Sequence, residues 1–119
     1  MSADRSANER FRLSAEIAHV ERREDEFSEL RDAYERSLEQ FRQQFHSVTR
    51  RLESALARDP HSSGTARQEH EAQHELLFHV DRYVQESVEE LAWTSTQVRM
   101  SLDDERERLI RERNALPWE

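Results

Sequence analysis

The chain has 119 residues, of which 37% are charged and 34% are hydrophobic, and its formal net charge is -8. One glycine and two prolines cannot supply the turns of a β-sandwich, a β-barrel or a glycine-rich nucleotide-binding fold. The absence of cysteine excludes disulfides and thiolate chemistry, and the absence of lysine excludes Schiff-base chemistry.

The first predicted element is a long amphipathic helix over about residues 8–57. Its apolar positions alternate in steps of four and three residues, which is typical of a helix that packs along another helix. Two positions of this seam are polar, Glu24 and Arg31, and Leu30 could take the place of Arg31. The seam comprises Leu13, Ile17, Val20, Glu24, Phe27, Arg31, Tyr34, Leu38, Phe41, Phe45, Val48, Leu52 and Ala55.

A loop over residues 58–65 is predicted to separate this helix from a second helix over about residues 66–113, which a short tail follows at 114–119. Asp59-Pro60 disfavours helix, and Ser62-Ser63-Gly64 is typical of a turn. The second seam comprises Leu77, Val80, Val84, Val88, Leu91, Val98, Leu102 and Leu109. Capping boxes are predicted at both helix starts, from Ser6 with Glu9 and from Thr65 with Gln68.

These elements predict an all-α fold, a long antiparallel two-helix hairpin that resembles a coiled coil and forms one domain over residues 1–119. Because the loop is short, the two helices must run antiparallel. Residues that meet should then have numbers that sum to roughly 122, which pairs Val20 with Leu102 and Leu38 with Val84. We expect the hairpin to complete a four-helix or larger bundle with a partner.

Apolar side chains outside the two seams predict a surface for that partner. A two-helix hairpin buries only one seam, and aromatic and methionine side chains are common anchors of helical interfaces. The alternative interpretation is a wide seam whose flanking residues belong to the core. The candidate partner-binding residues are Trp93, Met100, Phe78, Leu76, Ile110 and Trp118.

Residues 70–74, with the sequence His-Glu-Ala-Gln-His, match a zinc-binding motif. On a helix, His70 and His74 share a face and could bind zinc, and Glu71 would be the general base of a metalloprotease. A protease also needs a third ligand and a substrate cleft, which a thin hairpin does not offer. We therefore predict no enzymatic activity and no cofactor, and we keep His70 and His74 only as weak metal-ligand candidates.

Other histidines give a second, weaker metal hypothesis. The pairing rule places His46, His74 and His79 near one level of the hairpin, where they could form an incidental zinc site or a pH-sensitive patch. The alternative is a set of ordinary surface histidines.

Charge pattern and hydropathy limit the other partners and the location. Arginine and glutamate are interleaved in 21–24 and 105–108, which is typical of solvated helix faces and not of a nucleic-acid-binding patch. The chain lacks the roughly 18-residue apolar run of a membrane span, and residues 1–12 lack the apolar segment of a signal peptide. We expect a cytoplasmic protein that is either retained or co-exported without a cleaved signal peptide.

The chain resembles the small helical-hairpin helper proteins of LXG-type toxins in bacterial type VII (ESX) secretion, which are themselves similar to the WXG-type proteins. The resemblance rests on the seams at 13–55 and 77–109, the loop at 59–64 and the charged tail at 108–113. It implies a targeting factor or chaperone that lies along the helical N-terminal domain of an exported toxin. Ser63-Gly64 replaces the Trp-x-Gly of the WXG loop, which favours a helper over an exported substrate.

Three alternatives to the secretion adaptor remain open from the sequence. The first is a structural homodimer that forms a four-helix bundle. The second is a hairpin that resembles the stalk proteins of type III or flagellar export. The most remote is a zinc metalloprotease that uses His70, Glu71 and His74.

Overall fold

Two α-helices form almost all of the chain that the structure describes. This computed structural model describes residues 2–58 and 64–117, in which α1 spans Ser2–Arg58 and α2 spans Gly64–Asn114. Neither helix contains proline, and the sequence is rich in the strong helix formers Glu, Arg, Leu, Ala and Gln. The described ranges hold no strand, so the all-α prediction is confirmed.

The observed start of α1 differs from the start that the sequence predicts. This helix begins at Ser2, about six residues before the predicted start, and Ser6 lies buried inside it. The predicted capping box at Ser6 is therefore wrong. Neither glycine nor proline interrupts the helix before Ser6, and the negative charge of Asp4 in the first turn interacts favourably with the helix dipole. Thr65 likewise lies within α2 and does not cap it. At the far end α2 stops at Asn114, close to the predicted residue 113.

The chain divides into two compact units, and each holds one segment of α1 and one of α2. Unit 1 comprises Met1–Asp32 and Ala92–Glu119, and unit 2 comprises Ala33–Leu91. Within each unit, higher residue numbers on α1 pair with lower numbers on α2, so the two segments are antiparallel as predicted. The pairs are Ser14 with Arg113 and Arg23 with Glu105 in unit 1, and His46 with Asp81 and Glu53 with His74 in unit 2.

Unit 1 has an apolar core made from the predicted seams. The buried cluster contains Leu13, Ile17, Val20, Leu102 and Leu109, and Val98, Ile110 and Leu116 pack against it. Ile110, a candidate for the partner surface, is partly buried and packs against this cluster. It is covered because it follows Leu109 directly and because Leu116, after the helix end, also packs against this cluster.

In unit 1, Glu24 and Arg31 occupy the polar seam positions that the heptad count assigns to them. Leu30 is 70% exposed, whereas the side chain of Arg31 is only 20% exposed. Leu30 therefore does not replace Arg31. Glu24 also keeps its seam position, since its carboxylate accepts a hydrogen bond from Arg106 across the helix pair at 3.2 Å.

Unit 2 shows a systematic shift of the seam along α1. Leu38, Val80 and Val84 form its buried cluster, with Phe45 packed against it. After Leu38 the row that faces α2 is Arg42, Phe45, Thr49, Leu52 and Leu56, with Glu39, His46, Ser47 and Glu53 partly covered beside it. Phe45 and Leu52 keep their predicted places, whereas Phe41, Val48 and Ala55 are exposed and the residue after each of them is covered, so the row still alternates in steps of four and three.

The same shift affects one seam position of α2. Val88 is exposed, and Ser87 is the partly covered residue in its place.

Among the described residues, no helix is both long enough and apolar enough to cross a bilayer.

Candidate functional site

Unit 2 presents two lateral faces on which side chains of α1 and α2 stand next to each other. Successive residues of an α-helix are about 100° apart around its axis, so each residue can be placed relative to the direction that faces the other helix. Both helices are right-handed and antiparallel. Residues that are rotated in the same sense from that direction therefore lie on the same face of the pair.

One of these faces is apolar. Five large hydrophobic residues lie on this face. Around its own helix axis, each is about 50–90° from the direction of the neighbouring helix, in the same sense. Each is 46–57% exposed. On each helix the members recur every seven residues, and the antiparallel register puts Phe41 opposite Tyr83 and Val48 opposite Leu76. We call this set the apolar face; it consists of Tyr34, Phe41, Val48, Leu76 and Tyr83.

The exposed area of the apolar face is that of an interaction surface. Half-exposed aromatic side chains present about 100 Å² each and the two aliphatic ones about 80 Å² each, so the five together expose about 450 Å². A contiguous apolar patch of about 300–600 Å² is the largest that a typical monomer carries, and such patches are commonly functional.

The opposite face of unit 2 is polar and carries histidine–carboxylate contacts between the helices. His46 lies 2.8 Å from Asp81, and His74 lies 2.6 Å from Glu53. Arg42 donates a hydrogen bond to Glu39 at 3.0 Å. This hydrogen bond and the positive charge of Arg42 lower the pKa of Glu39, and the same hydrogen bond with the negative charge of Glu39 raises the pKa of Arg42. We call this surface the polar face.

The zinc-motif histidines lie on the polar face together with a glutamate from α1. The rings of His70 and His74 are 4.5 Å apart in an edge-to-face arrangement. Oε1 of Glu53 is 3.6 Å from Nε2 of His70 and 2.6 Å from Nε2 of His74. The sequence analysis missed Glu53, although the pairing rule places residue 52 opposite His70. Glu71, the general base of the motif, is exposed.

The structure does not assemble the predicted trio of His46, His74 and His79. His46 pairs with Asp81, and His74 pairs with Glu53. His79 is exposed, with its ring 5.8 Å from that of Phe78. One heptad separates the two histidine–carboxylate pairs on each helix, which keeps the rings apart.

The remaining candidate partner residues lie at several places. In unit 1, Trp93 and Met100 are exposed on the side of α2 turned away from α1, about 170° from the core direction. In unit 2, Leu76 belongs to the apolar face, but Phe78 is rotated from it by about 200° and does not. Trp118 lies outside the described residues. Sequence reasoning missed Tyr83 and assigned Tyr34, Phe41 and Val48 to the core.

Unit 1 has no equivalent of the apolar face in its described part. Arg23 pairs with Glu105 at 3.4 Å, and Arg106 pairs with Glu24 at 3.2 Å. By the same helical geometry, these two pairs occupy opposite lateral faces of the unit. The unpartnered apolar side chains are therefore most concentrated on unit 2.

Comparison with known proteins assigns the chain to no family. No protein-family model matches it, and searches of curated proteins and of solved structures also find no match.

Proposed function

We propose that the protein is a non-enzymatic interaction module whose apolar face binds α-helices of another protein. The observation that carries this proposal is the row of five half-exposed hydrophobic residues at seven-residue spacing on two adjacent helices. A helix that crosses such a row can place its own apolar residues between the ridges of α1 and α2. Two partner helices would complete a four-helix bundle.

The proposed partner is the helical N-terminal domain of an exported type VII toxin. The protein would then be a secretion adaptor, a targeting factor or chaperone that covers the toxin's helices in the cytoplasm and either remains there or leaves with it. The resemblance to helper proteins of LXG-type toxins supports this class of partner. The net charge of -8 supports it over a second copy of the chain, because two such copies repel each other.

A homodimer is the second candidate, favoured by the regular spacing of the apolar face. Two copies that pack these faces together would also form a four-helix bundle. In that arrangement the protein would be a structural dimer and not an adaptor.

Two measurements on the full-length chain separate these proposals. Sedimentation velocity gives the oligomeric state, and affinity capture from cells that produce the protein, followed by mass spectrometry, identifies the partner. The variant is Phe41→Glu combined with Tyr83→Glu. We expect a wild-type monomer that captures a helical protein and a helical double variant that does not. A wild-type dimer that the double variant converts to a monomer would overturn the adaptor proposal in favour of the homodimer.

A further inference from the structure

The apolar core of unit 2 does not extend over the whole unit. Its buried hydrophobic residues are Leu38, Val80 and Val84. Between residues 38 and 80, no hydrophobic side chain in the described ranges is fully buried. The buried side chain in this stretch is that of Thr49, whose hydroxyl donates to the carbonyl oxygen of Phe45 at 3.1 Å. This part of the helix pair therefore depends on contacts other than a closed apolar core.

Glu53, His70 and His74 lie in this same stretch and connect the two helices. One ligand atom from each of the three residues lies within 4.8 Å of the other two. Nε2 of His70 is buried and, among the described residues, makes no hydrogen bond, although Glu53 is only 3.6 Å away. A buried ring nitrogen without a hydrogen-bond partner costs free energy, which a bound ion would recover.

We propose that Glu53, His70 and His74 bind one divalent transition-metal ion of the zinc type and thereby clamp α1 to α2. Two imidazole nitrogens and one carboxylate oxygen are a donor set that zinc takes, with bonds of about 2.0–2.2 Å. At those lengths neighbouring ligand atoms of a tetrahedral ion are about 3.3–3.5 Å apart. The two Glu53–histidine separations of 2.6 and 3.6 Å bracket this value, and the separation between the two histidine ligand atoms is at most 4.8 Å, so side-chain rotations can bring all three into place.

The role we propose for the site is a structural clamp, because its three ligands come from both helices. The clamp would join the helices where the buried apolar cluster is missing. A water molecule can fill the fourth position of the ion.

The test uses the full-length chain without an affinity tag, titrated with zinc chloride by calorimetry and with cobalt(II) by visible absorption. We expect one ion per chain, a dissociation constant in the micromolar range or below, and a higher melting temperature with zinc. Loss of an outer-shell partner typically weakens metal binding 10–100-fold, so loss of a direct ligand in Glu53→Gln or His74→Gln should weaken it about a hundredfold. The matched controls Glu71→Gln and His79→Gln should bind as the wild type does.

Two results would overturn the clamp. One is the absence of saturable zinc binding below millimolar concentration. The other is wild-type affinity in Glu53→Gln, because a pair of histidines on α2 alone would then explain the binding without α1. Circular dichroism checks that each variant remains helical. The test requires no partner protein, so its outcome is independent of the adaptor proposal.

Discussion

The substitutions Leu76→Glu and Phe78→Glu, two residues apart on α2, should differ in their effect on partner binding: the first should weaken it and the second should leave it nearly unchanged. Leu76 belongs to the apolar face, and Phe78 is rotated from it by about 200°. Both side chains are substantially exposed, at 49% and 63%. The simple list of hydrophobic residues from the sequence gives both a role in binding, whereas the helical geometry gives one only to Leu76.

The expected size of the effect follows from the exposed area of Leu76. Its free surface is about 80 Å², which at about 25 cal/mol per Å² gives about 2 kcal/mol of binding free energy when a partner covers it. Since 1.4 kcal/mol is a factor of ten, Leu76→Glu should raise the dissociation constant about 30-fold, and the cost of burying a carboxylate adds to this. Phe78→Glu should change it less than about threefold.

The assay is isothermal titration calorimetry of each variant against the partner that the wild-type chain captures. Urea unfolding of the isolated variants is the control, because a change in the hairpin itself would also weaken binding. Equal losses in the two variants, or a larger loss in Phe78→Glu, would refute the assignment of the apolar face.

Three further predictions concern the other parts of the molecule. Trp93→Glu should leave both the circular dichroism of the isolated hairpin and the capture of the partner unchanged, because Trp93 points away from α1 and lies outside the apolar face; loss of capture would add Trp93 to the binding surface. Leu109→Ala should lower the free energy of unfolding by about 3 kcal/mol, since Leu109 is 2% exposed, whereas Leu30→Ala should lower it by less than about 1 kcal/mol. Arg42→Gln should raise the pKa of Glu39 toward its ordinary value, as followed by NMR titration of the carboxyl carbon. The stabilisation from this pair is present above the unfolded pKa of Glu39 and is lost as the pH falls through its lower folded pKa.

The sequence was sufficient to predict the helices and their antiparallel pairing. The chain lacks helix-breaking residues over long stretches, and its apolar spacing specifies which side of each helix packs, so Val20 and Leu102 lie in one cluster as expected. The capping box at Ser6 failed because a cap motif is a local signal. The residues before Ser6 are themselves compatible with helix, and they continue it.

The candidate site could be predicted only in part. The heptad count places Phe41 and Val48 in the core, but in unit 2 the next residues, Arg42 and Thr49, are the covered ones, which leaves Phe41 and Val48 on the apolar face. The sequence motif gave His70 and His74 but not Glu53. Glu53 belongs to the other helix, and only the register between α1 and α2 brings it within reach.

The most direct test of the central claim is photo-crosslinking from single positions of the apolar face in the complex. A photoreactive phenylalanine analogue replaces Tyr83 in one protein and Phe78 in another, and mass spectrometry locates the cross-linked peptides. We predict cross-links from position 83 to a helical segment of another protein and none from position 78. Cross-links from position 78 alone, or from neither position in an intact complex, would contradict the account.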